Sequence, residues 1–295
     1  MLNFSWEDLG EGLTNKWLQS ALSVSFLFWA GGLGLFFLRF GWQPTWDWLI
    51  QLQATVQVIL LIGVILLLVG SSLLVQQFSL NLLRLLEGYW PWPFRALGRA
   101  LARQAARRRL SQESRWNELK GREEKSEPLS AAEKNQLARL ERAIHYYPTT
   151  NEALLPSTLG NILRSAETAP AEKYGLDAYV CWPRLWLLLP EPVRDELTTA
   201  QQRLQTLVEW FAWGALFLVW TIWSPWAVLI SLAWMLLMYR LLLQAARSFA
   251  DLLEAAFDLY RWLLYEAMHL PPPAGGGETE RTAGKHLSAL FWRGE

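Results

Sequence analysis

The chain has 295 residues, of which 52% are hydrophobic and only 18% charged, and it contains 19 tryptophans. This composition is too apolar and too rich in tryptophan for an ordinary soluble domain, and it favours a protein that faces lipid. Lysines plus arginines equal aspartates plus glutamates, with 27 of each, so the net charge gives no argument for a nucleic-acid partner. The single cysteine, Cys181, excludes an intramolecular disulfide and a cysteine-based metal cage.

Four apolar segments approach the roughly 20 residues that a helix needs to cross the hydrocarbon of a bilayer. The first two lie at about residues 18–38 and 54–75, and both are free of charged residues. Helices satisfy their own backbone hydrogen bonds in lipid, which makes them the expected spanning structure. The sequence therefore predicts a first transmembrane helical hairpin within residues 1–83.

The second pair of apolar segments lies in residues 205–243, on either side of Ser224 and Pro225. A hairpin is expected because proline ends one helix and starts the next. The alternative is a single helix kinked at Pro225, whose uncharged residues from Trp210 to Tyr239 would rise about 45 Å and would require a strong tilt. Tryptophans near the turn suit the interfacial belt of a hairpin, and they are Trp220, Trp223 and Trp226.

The basic residues are distributed unevenly along the chain. The region from Arg84 to Arg142 is dense in arginine and lysine, whereas Arg39 is the only basic residue in the two short interhelical loops. By the positive-inside rule, the middle of the chain and both termini are cytoplasmic, and the hairpin tips face outward. We expect an all-α integral membrane protein of about four spans with a helical cytoplasmic domain.

Residues 84–204 form the predicted cytoplasmic helical region, which begins with a basic amphipathic helix at residues 94–110. Four arginines recur there at every fourth residue, so they share one face of the helix. They are Arg95, Arg99, Arg103 and Arg107. Such a face binds anionic lipid headgroups, at about 1 kcal/mol for each basic residue near the surface. The alternative is an orientation signal on a solvated helix face.

The rest of the polar sequence contains further helix signals. Ser130-Ala-Ala-Glu133 is a capping-box pattern, which predicts that a helix starts there as the second arm of a helical hairpin. After the last span, residues 244–270 have the apolar spacing of an amphipathic cytoplasmic helix. A proline run and a glycine run follow, so residues 271–295 are expected to form a flexible tail.

Three short runs between residues 155 and 194 resemble a known signature. They are Leu-Gly-Asn-Ile-Leu-Arg-Ser-Ala-Glu at 159–167, Tyr-Gly-Leu-Asp at 174–177 and Trp-Pro-Arg-Leu-Trp at 182–186. Together they look like a motif of a group of bacterial multi-pass membrane proteins with no assigned activity. The resemblance implies a location in the bacterial cytoplasmic, or intracytoplasmic, membrane and implies nothing about a reaction.

The sequence offers no catalytic, cofactor or metal site. No phosphate-loop, zincin or serine-hydrolase motif is present. The histidines, His145, His269 and His286, are too far apart in sequence to form a short metal-binding motif. We therefore expect no enzymatic activity and no cofactor.

Two sets of polar residues remain as candidate sites. One possibility is that Gln53, Gln57 and Glu209 line a pore in a homo-oligomer. The alternative is that the two glutamines form hydrogen bonds between helices and that Glu209 is a carboxylate at the membrane interface. The polar members of the motif runs would bind a ligand or a partner protein, or would form an ion-pair network that docks the segment under the bundle. They are Arg164, Glu167, Tyr174, Asp177 and Arg184.

The sequence thus supports two hypotheses about function. The first is a non-enzymatic membrane protein that scaffolds or regulates a partner protein through its cytoplasmic helices. The alternative is a homo-oligomeric channel or pore. The expected contacts are the bilayer with its anionic headgroups, and either further copies of the chain or a different protein, without nucleic acid.

Overall fold

The computed structural model describes residues 24–125, 128–273 and 275–294, and no strand occurs in these ranges. The prediction of an all-α chain is confirmed for them. The start of the first predicted span, residues 18–23, lies outside the described residues. The chain divides into two compact units. We call Met1–Leu82 with Gln205–Leu241 the apolar unit, and Leu83–Leu204 with Leu242–Glu295 the polar unit.

The apolar unit contains two whole helices and the apolar parts of three long helices whose remaining residues belong to the polar unit. The two whole helices are α1 (Val24–Phe40) and the short α2 (Gln43–Gln51), and the three long ones are α3 (Ala54–Glu87), α8 (Glu191–Leu216, prolonged by a 3-10 segment at Phe217–Ile222) and α9 (Trp226–Tyr260). Three of them, α3, α8 with its 3-10 segment, and α9, are long and apolar enough to cross a membrane. The pair α1 and α2, bent by 109°, makes a fourth if it forms one span. This agrees with the predicted number of spans, and their orientation stays a prediction.

Helix ends differ from the boundaries that hydropathy predicts. Helix α3 continues to Glu87, well beyond the predicted end near residue 75, and α8 begins at Glu191 rather than near residue 205. The predicted loop after the first span contains α2. Hydropathy marks where the side chains become polar, whereas the backbone hydrogen bonds of a helix continue until a cap or a proline ends them.

Residues 205–243 form two antiparallel helices that reverse at Ser224 and Pro225, as in the hairpin alternative. The Ser231 hydroxyl donates to the carbonyl of Gly214 at 2.6 Å. One turn further, the indole of Trp234 donates to the carbonyl of Trp210 at 2.9 Å. Gly214 allows this approach, because a Cβ there would collide with the Trp234 ring. The two helices are thus in direct contact and hydrogen-bonded to each other, and they do not form one kinked helix.

The polar unit consists of helices packed around buried leucines and Phe257. They are α4 (Arg95–Glu124), α5 (Ala131–His145), α6 (Thr158–Tyr174), α7 (Ala178–Leu188), α10 (Trp262–Ala267) and α11 (Glu278–Arg293), with a 3-10 turn at Asn151–Ala153. The predicted capping box at the start of α5 is confirmed. The Ser130 hydroxyl accepts from the Glu133 amide at 3.2 Å, and the Glu133 carboxylate accepts from the Ser130 amide at 2.9 Å.

The predicted flexible tail at residues 271–295 is wrong for most of its length, because residues 278–293 form α11. This helix packs on α6 and α7 and buries Leu287 completely. The approach is close: a Cβ at Gly284 would collide with the carbonyl oxygen of Tyr174. The proline and glycine runs, on which the prediction of a flexible tail was based, come before this helix and do not extend into it. Leu287, Leu290 and Phe291 repeat at helical spacing, and that repeat carries the packing.

Candidate functional site

The five polar residues of the motif runs do not form one cluster. Arg164, Glu167 and Asp177 line a single groove of the polar unit, whereas Tyr174 and Arg184 do not line it. Arg164 and Glu167 also form an ion pair at 3.2 Å, one turn apart on α6. The structure therefore separates this set into three residues at a groove and two residues that hold helices together.

The groove lies between α6, α7 and α9 and has a volume of about 770 Å³. Its apolar lining includes Trp182 from α7 and Leu253 and Phe257 from α9. Phe257 is fully buried, and its ring centroid is 5.8 Å from that of Trp182. An aromatic floor with a few charged groups at its edge is the usual composition of a protein binding groove.

Helix α7 forms one wall of this groove and presents an exposed apolar face. Asp177 caps the helix by accepting from the Tyr179 amide at 2.9 Å. Tyr179, Pro183 and Leu187 follow at four-residue intervals and therefore share one side of the helix. Tyr179 is 81% exposed and Leu187 is 77% exposed. A contiguous apolar face of this kind is uncommon on a free protein surface.

Tyr174 belongs to a polar network that fixes α6 to α9. Its hydroxyl donates to Asp258 at 2.7 Å, and Lys173 lies 2.5 Å from Glu254 and 3.2 Å from Asp258. Partial burial and the hydrogen bond to Asp258 raise the pKa of Tyr174. Burial lowers the pKa of Lys173, but the hydrogen bonds to Glu254 and Asp258 outweigh it and the net shift is upward.

The sequence did not reveal this network, because the partners are about 80 residues apart. Glu254 and Asp258 lie in residues 244–270, for which the sequence predicts only an amphipathic helix. His145 approaches the same helix and lies 3.3 Å from Glu254. The one available signal was the four-residue spacing of the two carboxylates, which places them on one side of α9.

Arg184 forms contacts that join α7 to α11, so it is not one of the residues that line the groove. One of its nitrogens donates to the Val180 carbonyl at 2.7 Å, and the other donates to the Phe291 carbonyl at 3.4 Å. Its guanidinium carbon lies 4.5 Å from the centroid of the Phe291 ring. Nearby, the Asp177 amide donates to the Ser288 hydroxyl at 2.9 Å. These contacts close α11 over α7, and burial raises the pKa of Cys181 beneath them to about 11.

The three polar residues predicted for a pore have different roles in the structure. Gln57 caps the turn before α3, because its amide donates to the carbonyls of Leu49 at 2.9 Å and Leu52 at 3.3 Å. The carbonyl of Gln53 accepts from the amides of the first turn of α3. Glu209 is half-buried on α8, and no hydrogen bond joins it to either glutamine among the described residues.

The four arginines predicted to contact lipid headgroups are all exposed on α4. They are Arg95, Arg99, Arg103 and Arg107, and none of them forms an ion pair with a residue that the structure describes. Large apolar side chains lie exposed beside them: Trp92 is 82% exposed and Phe94 is 58% exposed. Free cations next to exposed aromatic rings are the combination found on helices at a membrane surface.

Within residues 24–125, 128–273 and 275–294, no group of three or more histidine, cysteine or acidic side chains is placed to hold a metal ion. No protein-family model, curated protein or solved structure matches the chain. The likeness of its motif runs to a group of bacterial membrane proteins therefore stays a prediction.

Proposed function

We propose that the protein is a non-enzymatic multi-pass membrane protein that holds a partner protein at the cytoplasmic face of a bacterial membrane. The observation that carries this proposal is the exposed apolar face of α7 beside the groove between α6, α7 and α9. Helices α3, α8 and α9 supply the membrane anchor, because their length and composition suit a bilayer.

The expected partner element is an amphipathic helix. Its apolar side would cover Tyr179 and Leu187 and would reach the floor of the groove at Trp182. Its polar side would meet the charges of the groove edge, at Arg164 and Asp177. Helix-in-groove recognition uses this combination of apolar anchors and a charged rim.

The channel alternative lacks a feature of comparable weight. A glutamine that lines a pore has an amide available to water or ions. The Gln57 amide instead makes two hydrogen bonds to the turn between α2 and α3. This local role favours the docking function over the pore.

A photocross-linking amino acid placed at position 187 tests the proposal in native membranes. We expect one adduct of defined protein mass from position 187 and none from position 110, also an exposed leucine, on α4, where Leu110 is 53% exposed against 77% for Leu187. Adducts to lipid alone would make this face a membrane-lying surface, and an identical adduct from both positions would mean that the contact is unspecific. Either result contradicts the proposal.

Substitution sharpens the same test. Burial of a leucine side chain contributes about 1.5–3 kcal/mol, so Leu187→Ser should weaken capture of the identified partner by about tenfold or more. Leu110→Ser is the matched control and should leave capture unchanged. Equal losses in both variants would remove α7 as the docking surface.

A further inference from the structure

A second cavity of the polar unit, of about 490 Å³, lies between α4, α5, α6 and α9. Arg139 and Arg142 of α5 and Arg247 of α9 line it together. Hydroxyl and amide groups make up the rest of its polar lining, and no aspartate or glutamate among the described residues lines it. The lining is therefore cationic and rich in hydrogen-bond donors, within the size range of small-molecule sites.

The three arginines differ from their neighbours because none of them forms an ion pair with a described residue. Nearby basic residues of the same unit are paired: Arg109 contacts Glu113 at 2.7 Å, and Lys173 contacts Glu254 at 2.5 Å. All three residues are exposed to solvent, so their guanidinium groups are accessible to an anion that enters the cavity.

Asp251 follows Arg247 on the same helix, one turn further along α9, but is not among the residues that line the cavity. It accepts a hydrogen bond from the Tyr146 hydroxyl at 3.0 Å. His145 approaches the same carboxylate at 4.0 Å. The guanidinium of Arg247 instead lies over the Tyr146 ring, 5.6 Å from its centroid. Arg247 thus keeps its hydrogen-bond donors available for another group.

Two further features of the lining indicate the kind of anion. Thr158, the first residue of α6, is at the cavity, and the N-terminus of a helix carries a partial positive charge that favours phosphate. Gln112 also lines the cavity, and its buried Oε1 has no hydrogen-bond partner among the described residues. A buried acceptor of this kind is satisfied by a hydroxyl donor.

We propose that this cavity binds the phosphate group of a hydroxyl-bearing phosphate ester. Arg139, Arg142 and Arg247 hold the phosphate oxygens, because guanidinium groups match phosphate with paired hydrogen bonds. Gln112 accepts from a hydroxyl of the same molecule. This chemistry is shared by a phosphatidylglycerol headgroup and by a soluble glycerol phosphate. The site is separate from the groove beside α7, so it goes beyond the proposed docking function.

The test uses the full chain in a neutral detergent, with binding measured by microscale thermophoresis. The probes are glycerol 3-phosphate and dioctanoyl phosphatidylglycerol, with glycerol as the uncharged control. We expect a triple variant, Arg139→Gln, Arg142→Gln and Arg247→Gln, to lose on the order of a hundredfold in affinity or more, since each charged hydrogen bond contributes about tenfold. The matched control replaces three arginines of the same unit that do not line the cavity, namely Arg115→Gln, Arg281→Gln and Arg293→Gln.

Each binding result either supports or overturns the proposed phosphate site. Binding of glycerol 3-phosphate that only the cavity variant loses supports the proposal with a soluble ligand. Binding of the lipid probe alone, lost in the same way, supports it with a headgroup. Equal losses in both triple variants, equal binding of glycerol, or no binding of either phosphate probe overturns it.

A measurement on the unsubstituted protein covers the case in which the cavity variant fails to fold. Phenylglyoxal modifies accessible arginines, and mass spectrometry locates the modified positions. The bound probe should slow modification of Arg139, Arg142 and Arg247 by at least tenfold, while Arg115 reacts at the same rate with and without it. Absence of this protection overturns the proposal.

Discussion

The apolar unit and the polar unit are both built from α-helices, but they expose opposite kinds of side chain. On α3, Ile62 and Leu66 are 51% and 66% exposed, and only 6% of the most apolar stretch of this helix is buried. In the polar unit, large apolar residues such as Phe257 and Leu287 are fully buried. Every ion pair found among the described residues lies in the polar unit. The two units are therefore suited to two different solvents.

Their internal contacts differ for the same reason. Between helices in lipid, apolar burial provides no driving force, so close packing and hydrogen bonds matter more. The apolar unit has such contacts: the Trp29 indole donates to the Ser71 hydroxyl at 3.3 Å, and Ser231 bonds to Gly214. The polar unit instead removes leucine and phenylalanine side chains from water, which is the main stabilising effect in a soluble fold.

The largest expected effect comes from charges placed on the exposed surface of α3. Arginine near the centre of a spanning helix costs about 2.5–3.5 kcal/mol, so Ile62→Arg with Leu66→Arg should cost about 5–7 kcal/mol of insertion free energy. The measurement is the fraction of protein that resists carbonate extraction from membranes. We expect a clear fall in this fraction.

The matched control for α3 is on α4, where Leu97 and Leu110 are each 53% exposed. Leu97→Arg with Leu110→Arg should change membrane integration little, because a helix on the membrane surface does not cross the hydrocarbon and exposed substitutions there are usually within about 0.5 kcal/mol of neutral. Equal behaviour of the two pairs would mean that the exposed surfaces of α3 and α4 face the same solvent, and the comparison between the units would fail.

The next effect concerns Cys181, which tests whether the polar unit has a water-excluding core of its own. Burial raises the pKa of its thiol from 9.0 to about 11, so at pH 8 the reactive thiolate is about a hundredfold scarcer. Alkylation by iodoacetamide should be slower by at least that factor than at an exposed thiol. The reference is Ser111→Cys in a Cys181→Ser background, and similar rates would show that the core admits water.

Packing of α11 provides a smaller effect. Gly284→Ala places a methyl group against the backbone of Tyr174, which cannot rotate away, and overpacking of this kind costs about 1–3 kcal/mol. We expect a lower melting temperature and faster proteolysis between Pro271 and Gly277. Gly121→Ala is the control, because nothing lies near its added Cβ and alanine favours a helix. An unchanged melting temperature for Gly284→Ala would mean that α11 is not tightly docked.

The smallest effect is the pH dependence of the start of α5. Hydrogen bonds from the Ser130 amide, from Arg122 and from the Ser130 hydroxyl lower the pKa of Glu133 from 4.5 to about 2. The capping contribution is therefore present above about pH 4.5 and is lost as the pH falls towards 2. Hydrogen exchange in the first turn of α5, corrected for intrinsic rates, should accelerate slightly between pH 5 and pH 3. Glu133→Gln should remove this dependence, and its persistence in that variant would assign it to another group.

Particular residues show why some features were predictable and others were not. The capping box of Ser130 and Glu133 was predicted correctly because its atoms are three residues apart. The helix at residues 278–293 was missed because it is packed on α6 and α7, with Leu287 fully buried, and these contacts come from distant parts of the sequence. Likewise, Tyr174 and Arg184 were grouped with Arg164 by sequence proximity, but their partners, Asp258 and Phe291, come from distant helices.

The sequence by itself determined the helical class, the long apolar segments and the local caps. These features depend on the composition and spacing of residues within one or two turns. Only the tertiary structure decided which distant residues line the same site, such as Arg139 and Arg247 at the cationic cavity and Asp177 and Phe257 at the groove. The physical reason is that these pairs are brought together by the packing of whole helices, and a local pattern does not contain that information.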